Sequence, residues 1–195
     1  MKKMIVLAVL AACGIGAVQA QESPWMVRFR ATNLDMKNDT NVTAVPALNV
    51  NNKTIPEVDV SYFFDKNVAA ELVLTVPQEQ TVYSGSNRVG TFKHLPPTLL
   101  LQYHFTNFSG FKPYVGAGVN YTRITNVKLD GADLDKHSWG AALQAGVDIP
   151  LDKNWSLNFD VKKIYIKTDV YSGGNSLGTL KLDPIAASVG IGYRF

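Results

Sequence analysis

Cysteine is nearly absent from this 195-residue chain, and Cys13, the only one, lies in a stretch that reads as a removable leader. Lys2 and Lys3, the apolar run 4–10 and the small-residue site Val18-Gln19-Ala20 describe a secretory signal over 1–20, cleaved after Ala20. The remaining chain, 21–195, then has no thiol, no disulfide and no thiolate metal site. A second reading of the same stretch is that Leu10-Ala11-Ala12-Cys13-Gly14 is a lipoprotein box that leaves Cys13 lipid-anchored. Beyond residue 20 no apolar run reaches the roughly 18 residues that a membrane-spanning helix needs. Histidine is scarce: His94, His104 and His137 show no paired metal-ligand spacing, and Asp130, Asp133 and Asp135 do not have the spacing of an EF-hand loop. No phosphate loop or dinucleotide fingerprint occurs, so no cofactor or metal is expected and the chain does not read as an enzyme. Without Lys2 and Lys3, 17 basic residues face 16 acidic ones, a balance that gives no reason to expect a nucleic-acid partner.

What the sequence has is alternation. In the last twelve residues Ile185, Ala187, Val189, Ile191, Tyr193 and Phe195 share one face of a strand, and Pro184, Ala186, Ser188, Gly190, Gly192 and Arg194 share the other. A soluble sandwich seldom ends on an apolar row with a terminal Phe. A barrel in an outer membrane does so naturally, because the row faces lipid and Tyr193 and Phe195 join an interfacial aromatic girdle. Ser188-x-Gly190-x-x-Tyr193-x-Phe195 also resembles the terminal motif by which the barrel-assembly machinery recognises its clients.

Similar strands are expected over 25–32, 55–64, 68–76, 98–105, 113–123, 138–149, from Trp155 onward, and 179–195. Long polar loops fall over 33–54, 78–97, around Asp130 to Asp135, and over 171–178, while the other three connections are short turns. Long and short connections that alternate in this way describe an all-β, eight-stranded antiparallel up-and-down transmembrane barrel, with long loops outside and short turns in the periplasm. Several blocks carry a specific likeness: 58–64 (VDVSYFF), 90–98 (GTFKHLPPT), 102–105 (QYHF), 112–122 (KPYVGAGVNYT) and 192–195 (GYRF). They resemble the OmpW family of small outer-membrane proteins. The resemblance implies a narrow hydrophobic channel that passes small apolar molecules, and, in some members, a receptor for phage or bacteriocin.

Near the expected extracellular end the apolar face changes sides. Inward register there takes Leu34, Met36, Ile55, Ile164, Ile166, Leu180 and Leu182, while Lys37, Lys163, Lys167, Lys181 and Asp183 point out. With Val73 and Leu100 these form a candidate hydrophobic channel. Lower down, Arg28, Glu71, Gln102, His104, Asp148, Asp160, Lys162 and Arg194 form a candidate polar plug, whose charges must pair in so narrow a lumen. A funnel that ends in a plug needs a side exit. Pro77, which has no N–H for a neighbouring ladder, is the candidate.

Two alternatives stay open: the upper apolar residues pack as a cap beneath the loops, or a β-bulge near Lys162 flips the seventh strand. The expected function is passive uptake of small apolar solutes with lateral release into the outer leaflet. The rivals are a closed barrel serving as a surface receptor and a lipid-modifying enzyme using His94 or His137 at the outer rim. Expected partners are outer-membrane lipid and lipopolysaccharide, the solute, and the assembly machinery during biogenesis, with a monomer favoured.

Overall fold

The computed structural model describes residues 23–42, 48–129 and 131–195. The expected leader over 1–20, with Cys13, and Asp130 of the third loop lie outside the described residues. In chain order the strands are β1 (Trp25–Asp35), β2 (Asp39–Val42), β3 (Leu48–Val50), β4 (Lys53–Phe63), β5 (Val68–Thr75), β6 (Gln78–Ser84), β7 (Asn87–Leu95), β8 (Thr98–His104), β9 (Lys112–Leu129), β10 (Asp133–Leu134), β11 (His137–Pro150), β12 (Trp155–Ile164), β13 (Lys167–Ser172), β14 (Asn175–Lys181) and β15 (Ile185–Arg194). Eight of them close a barrel in the order β1-β4-β5-β8-β9-β11-β12-β15, and β15 returns to β1 from Met26↔Arg194 to Asp35↔Ile185. Every neighbouring pair is antiparallel.

The expected loops are largely strand. β6 and β7 form a hairpin that β9, running six residues past Arg123, extends upward, and β3 pairs on β6. A second sheet, β10-β13-β14-β2, stands beside it. These strands continue the barrel outward, with the chain re-aimed at a few residues. Asn38 (φ 41°) and Asp183 (φ 31°) take left-handed backbone where β1 passes to β2 and β14 to β15. Asp183 Oδ1 accepts the Ile166 N–H (2.9 Å), and the Asn38 side chain holds Val50 N (2.7 Å) and O (2.9 Å). Alternation persists from Lys162 through Thr168, so the seventh strand does not flip: Lys162, Ile164, Ile166 and Thr168 are buried, and Tyr165 and Lys167 are exposed.

Burial is inverted relative to a water-soluble sheet. Arg28 and Lys162 are 0% exposed, whereas Phe29 is 54% and Leu143 51% exposed. Such a pattern is stable only when the outside solvent is hydrocarbon. Aromatic rings collar the end with the short turns, in edge-to-face pairs: Trp25–Tyr62 and Trp155–Tyr193, each 4.9 Å between centroids, and Tyr193–Phe195 at 5.1 Å. At the other end Tyr121 and Trp139 pack at 4.8 Å. Two of the short turns share one device. Asp65 Oδ1 accepts the N–H groups of Asn67 (2.7 Å) and Val68 (2.8 Å), and Asp152 Oδ1 accepts those of Asn154 and Trp155 (both 2.8 Å). These backbone bonds hold both carboxyls below their ordinary pKa.

The facing makes a quantitative prediction. Leu143→Arg, near mid-height on β11, should cost about 2–4 kcal/mol in reversible unfolding from lipid vesicles, while Ile149→Arg, near the periplasmic rim, should cost about 0–1 kcal/mol. Equal costs, or the reverse ranking, would mean that β11 is not seated across the bilayer in this way.

Candidate functional site

The barrel interior is divided by height. At the extracellular end an open depression of about 660 Å³ lies between residues 129, 131–137 and 171–174, with Leu134 in its lining. Leu134 also belongs to one buried apolar cluster that contains Leu34, Met36, Ile55, Ile164, Ile166, Leu180 and Leu182. The extracellular strands complete the cluster with Val50, Val82, Phe92, Ile124 and Val170. Seven of the nine expected channel residues therefore meet there. Val73 and Leu100 sit apart from it, in a small cluster with Ala142.

Next comes the plug. Arg28 clasps Asp148 with two bonds (Nη2–Oδ2 2.8 Å, Nε–Oδ1 3.2 Å) and reaches Asp59 Oδ1 at 3.3 Å and Ser61 Oγ at 2.9 Å. Arg30 Nη1 lies 3.1 Å from Glu57, 3.0 Å from Glu71 and 3.0 Å from Asp59. Lys162 Nζ bridges Glu57 (2.8 Å) and Asp160 (2.7 Å). Neutral groups fill the remaining lone pairs: the Tyr114 hydroxyl donates to Asp160 (2.7 Å), Gln144 donates to both Asp160 and Glu71 (2.8 Å each), and Gln102 donates to Glu71. Buried ions at this density persist only when each is paired and hydrogen-bonded. Inward glycines leave the room: a Cβ on Gly116 would stand 2.8 Å from Gln144 Oε1, and one on Gly192 3.2 Å from Arg28 Cγ.

His104 borders the plug, with Nε2 3.0 Å from Gln102 Oε1 and its ring stacked on Tyr114. Arg194 lies lower still, its guanidinium 4.2 Å over the Phe63 ring and its Nε donating to Ser23 O (2.9 Å). Both line a periplasmic cavity of about 290 Å³. Arg30, Glu57, Asp59, Tyr114 and Asn158 belong to the plug although the sequence reading did not place them in it. The period-two alternation of their strands turns all five inward, and inward polarity was the available signal.

Between apolar cluster and plug the wall is interrupted. The β5–β8 ladder ends at Val73↔Thr98 and resumes above, as β6–β7, at Gln78↔His94. Residues 74–77 and 95–97 face each other across this break without a β5–β8 or β6–β7 register. Pro77, Pro96 and Pro97 contribute no N–H donors. Each edge is held from behind, by Glu57↔Thr75 on β4 and by the Tyr121 N–H to Pro97 O (3.1 Å) on β9. Leu74 and Val76 stand exposed on the outer side, 44% and 54%. On the inner side His94 is buried above the break.

The terminal-motif residues lie along β15 and just beyond it. Ser188 Oγ is 2.8 Å from Thr32 Oγ1, Gly190 pairs with Arg30, and the Phe195 N–H donates to Trp25 O (3.2 Å) at the seam. His137 is on the outer face, its Nδ1 2.6 Å from the Tyr121 hydroxyl.

These features have counterparts in known proteins. A sequence model of the OmpW family matches residues 15–195. An outer-membrane protein of Sinorhizobium fredii, y4mB, is 42% identical over 190 residues, 91% of this chain and 82% of its own. The dibenzothiophene metabolism operon protein PahQ of Pseudomonas aeruginosa is 29% identical over 210 residues, covering 100% of this chain and 99% of its own. The crystal structure of the outer membrane protein OprG from Pseudomonas aeruginosa superposes with a TM-score of 0.74 at 26% identity, over 92% of this chain and 99% of that one. An eight-stranded barrel with a lipid-facing exterior, matched over nearly its whole length by these sequences and folds, belongs to the OmpW family of outer-membrane proteins.

Proposed function

We propose that this barrel carries small apolar molecules from the extracellular side into the outer membrane, taking them in through the apolar upper chamber and releasing them sideways through the gap in the wall. The observation that carries the reading is the position of the ladder break. It lies above a plug with three buried cations and five buried carboxyl groups, below a buried apolar cluster that shares Leu134 with the outer depression, and level with the lipid-facing Leu74 and Val76. An apolar solute gains contact with Ile166, Leu180 and Leu182 on the way in. It would have to strip fixed ion pairs of their partners to continue down the axis, a far costlier route than the side. The name of the relative PahQ associates that protein with the metabolism of dibenzothiophene, a flat apolar heterocycle, which suits this class of cargo.

Charging the chamber should block entry. Ile166→Lys with Leu182→Lys should lower uptake of a medium-chain alkane by about tenfold, the factor equivalent to ~1.4 kcal/mol of lost apolar contact. Lys167→Ile, on the outer face of the same segment, should leave uptake as it is. Uptake is measured in cells carrying equal amounts of folded barrel, and no change in the double variant would favour a capped barrel serving as a surface receptor.

Opening the plug separates the side route from the straight one. Arg30→Ala leaves Glu57, Asp59 and Glu71 without their shared cation and should cost about 3–5 kcal/mol of stability. Uptake per folded molecule should nevertheless stay constant, because the path does not cross the plug. A marked rise would assign transport to the axis.

A further inference from the structure

Among the described residues, six buried side-chain polar atoms have no hydrogen-bond partner in the protein: Asp59 Oδ2, Thr75 Oγ1, Gln80 Nε2, Gln80 Oε1, His94 Nδ1 and Ser156 Oγ. Asp59 Oδ2 is within 3.0 Å of the Arg30 guanidinium and so is paired electrostatically, and Ser156 lines the periplasmic cavity. The other four atoms belong to three residues that border the ladder break. Thr75, the last residue of β5, lies within it, His94 is on the first rung above it, and Gln80 is one inward position higher on β6, diagonal to His94 through the Gln78↔His94 and Gln80↔Phe92 pairs.

The lack of partners is selective. Polar neighbours around the break are satisfied within the wall: Gln78 Nε2 donates to Val76 O (2.8 Å), Thr98 Oγ1 to Pro96 O (3.3 Å), Asn120 Nδ2 to Thr98 Oγ1 (2.9 Å), and Thr122 Oγ1 to Asn120 Oδ1 (2.7 Å). Burying a polar group without a partner forfeits the hydration it had in the unfolded chain, so four such atoms at one opening mark groups kept for a visitor. They offer both roles, since the amide and the hydroxyl each donate and accept and an imidazole nitrogen does one or the other. None is a carboxylate, an ammonium or a guanidinium. The nearby cation, Lys53, spends its ammonium on Glu79 O (3.1 Å). Directly above, Val82, Phe92 and Ile124 belong to the apolar cluster.

We infer that the inner mouth of the gap is a hydrogen-bonding subsite, formed by Thr75, Gln80 and His94, for an apolar molecule that carries one uncharged polar group such as a hydroxyl or carbonyl. The polar end docks at the gap and the apolar body lies in the cluster above. This deepens the uptake reading and rests on it for the route by which the molecule arrives. A carboxylate or ammonium is disfavoured here, because Lys53 is committed to Glu79 O, and Glu57, opposite Thr75, is already shared by Arg30 and Lys162.

The test uses the full barrel in lipid bilayers, free of detergent, with 15N-labelled histidine. Adding 1-octanol should shift the Nδ1 resonance of His94, whereas octane should not, and Gln80→Leu should reduce the shift. In cells, the ratio of 1-octanol uptake to octane uptake, each corrected for cells lacking the barrel, should fall about 2- to 10-fold in Gln80→Leu/His94→Phe, the range that loss of a hydrogen bond represents. Thr75→Val provides the same comparison should the double variant fold poorly. An unchanged ratio, or a His94 resonance indifferent to 1-octanol, overturns the subsite. Octane uptake absent even from the unaltered barrel overturns the transport reading instead, and the His94 shift then decides the subsite separately.

Discussion

Hydrocarbon offers nothing to a backbone N–H or C=O, and the structure depends on that constraint. Every strand that faces lipid must find partners on both sides, which is why the sheet closes from β1 round to β15. An interruption at membrane depth is tolerable only where it lines a cavity or is covered by protein. The β5–β8 break meets the condition from both edges, through β4 and β9, and three prolines remove donors that would otherwise be stranded there. A break held open from behind in this way is a feature of the wall, not a frayed end.

The second constraint is the narrowness of an eight-stranded lumen, which side chains must fill. This chain fills it with two incompatible materials. The lower half is an ionic network in which Arg28, Arg30 and Lys162 tie β1 and β12 to β4, β5 and β11. The upper half is mainly apolar, with a few inward polar residues such as Gln80 and His94, and its strands continue beyond the membrane with lysines outward and leucines inward. The boundary between the materials coincides with the ladder break. On the proposed route an apolar solute arriving from above would meet fixed charge below and hydrocarbon beside it, which favours the sideways path.

Much of this was legible in the sequence for a simple reason: lipid inverts the usual burial rule, so rows such as Phe29, Leu143 and Val189 announce their face by period two alone. The inward set Leu34, Ile164, Ile166, Leu180 and Leu182 was legible the same way. The segment 78–95 was not. Its inward positions Gln78, Gln80, Val82, Phe92 and His94 mix polar and apolar, and its outer face meets water, so no hydropathy alternation survives although the backbone alternates. Partners within the plug were hidden for another reason. The inward charge of Arg30, Glu57 and Asp59 could be read from alternation, but which carboxylate meets which guanidinium depends on inter-strand register. Pro77 was readable as a missing donor. That Pro96 and Pro97 stand across from it follows only from the hairpin pairing of β6 with β7.

The central claim is that an apolar solute occupies the upper chamber and leaves at the break. Crystals of the barrel soaked with 1-bromooctane test it most directly, because anomalous scattering locates the bromine without reference to the chain. The account predicts bromine peaks among Ile166, Leu180 and Leu182 and at the gap bordered by Val76 and Pro96. Bromine along the plug axis among Arg30, Glu71 and Lys162, or confined to the outer lipid-facing surface, would contradict it.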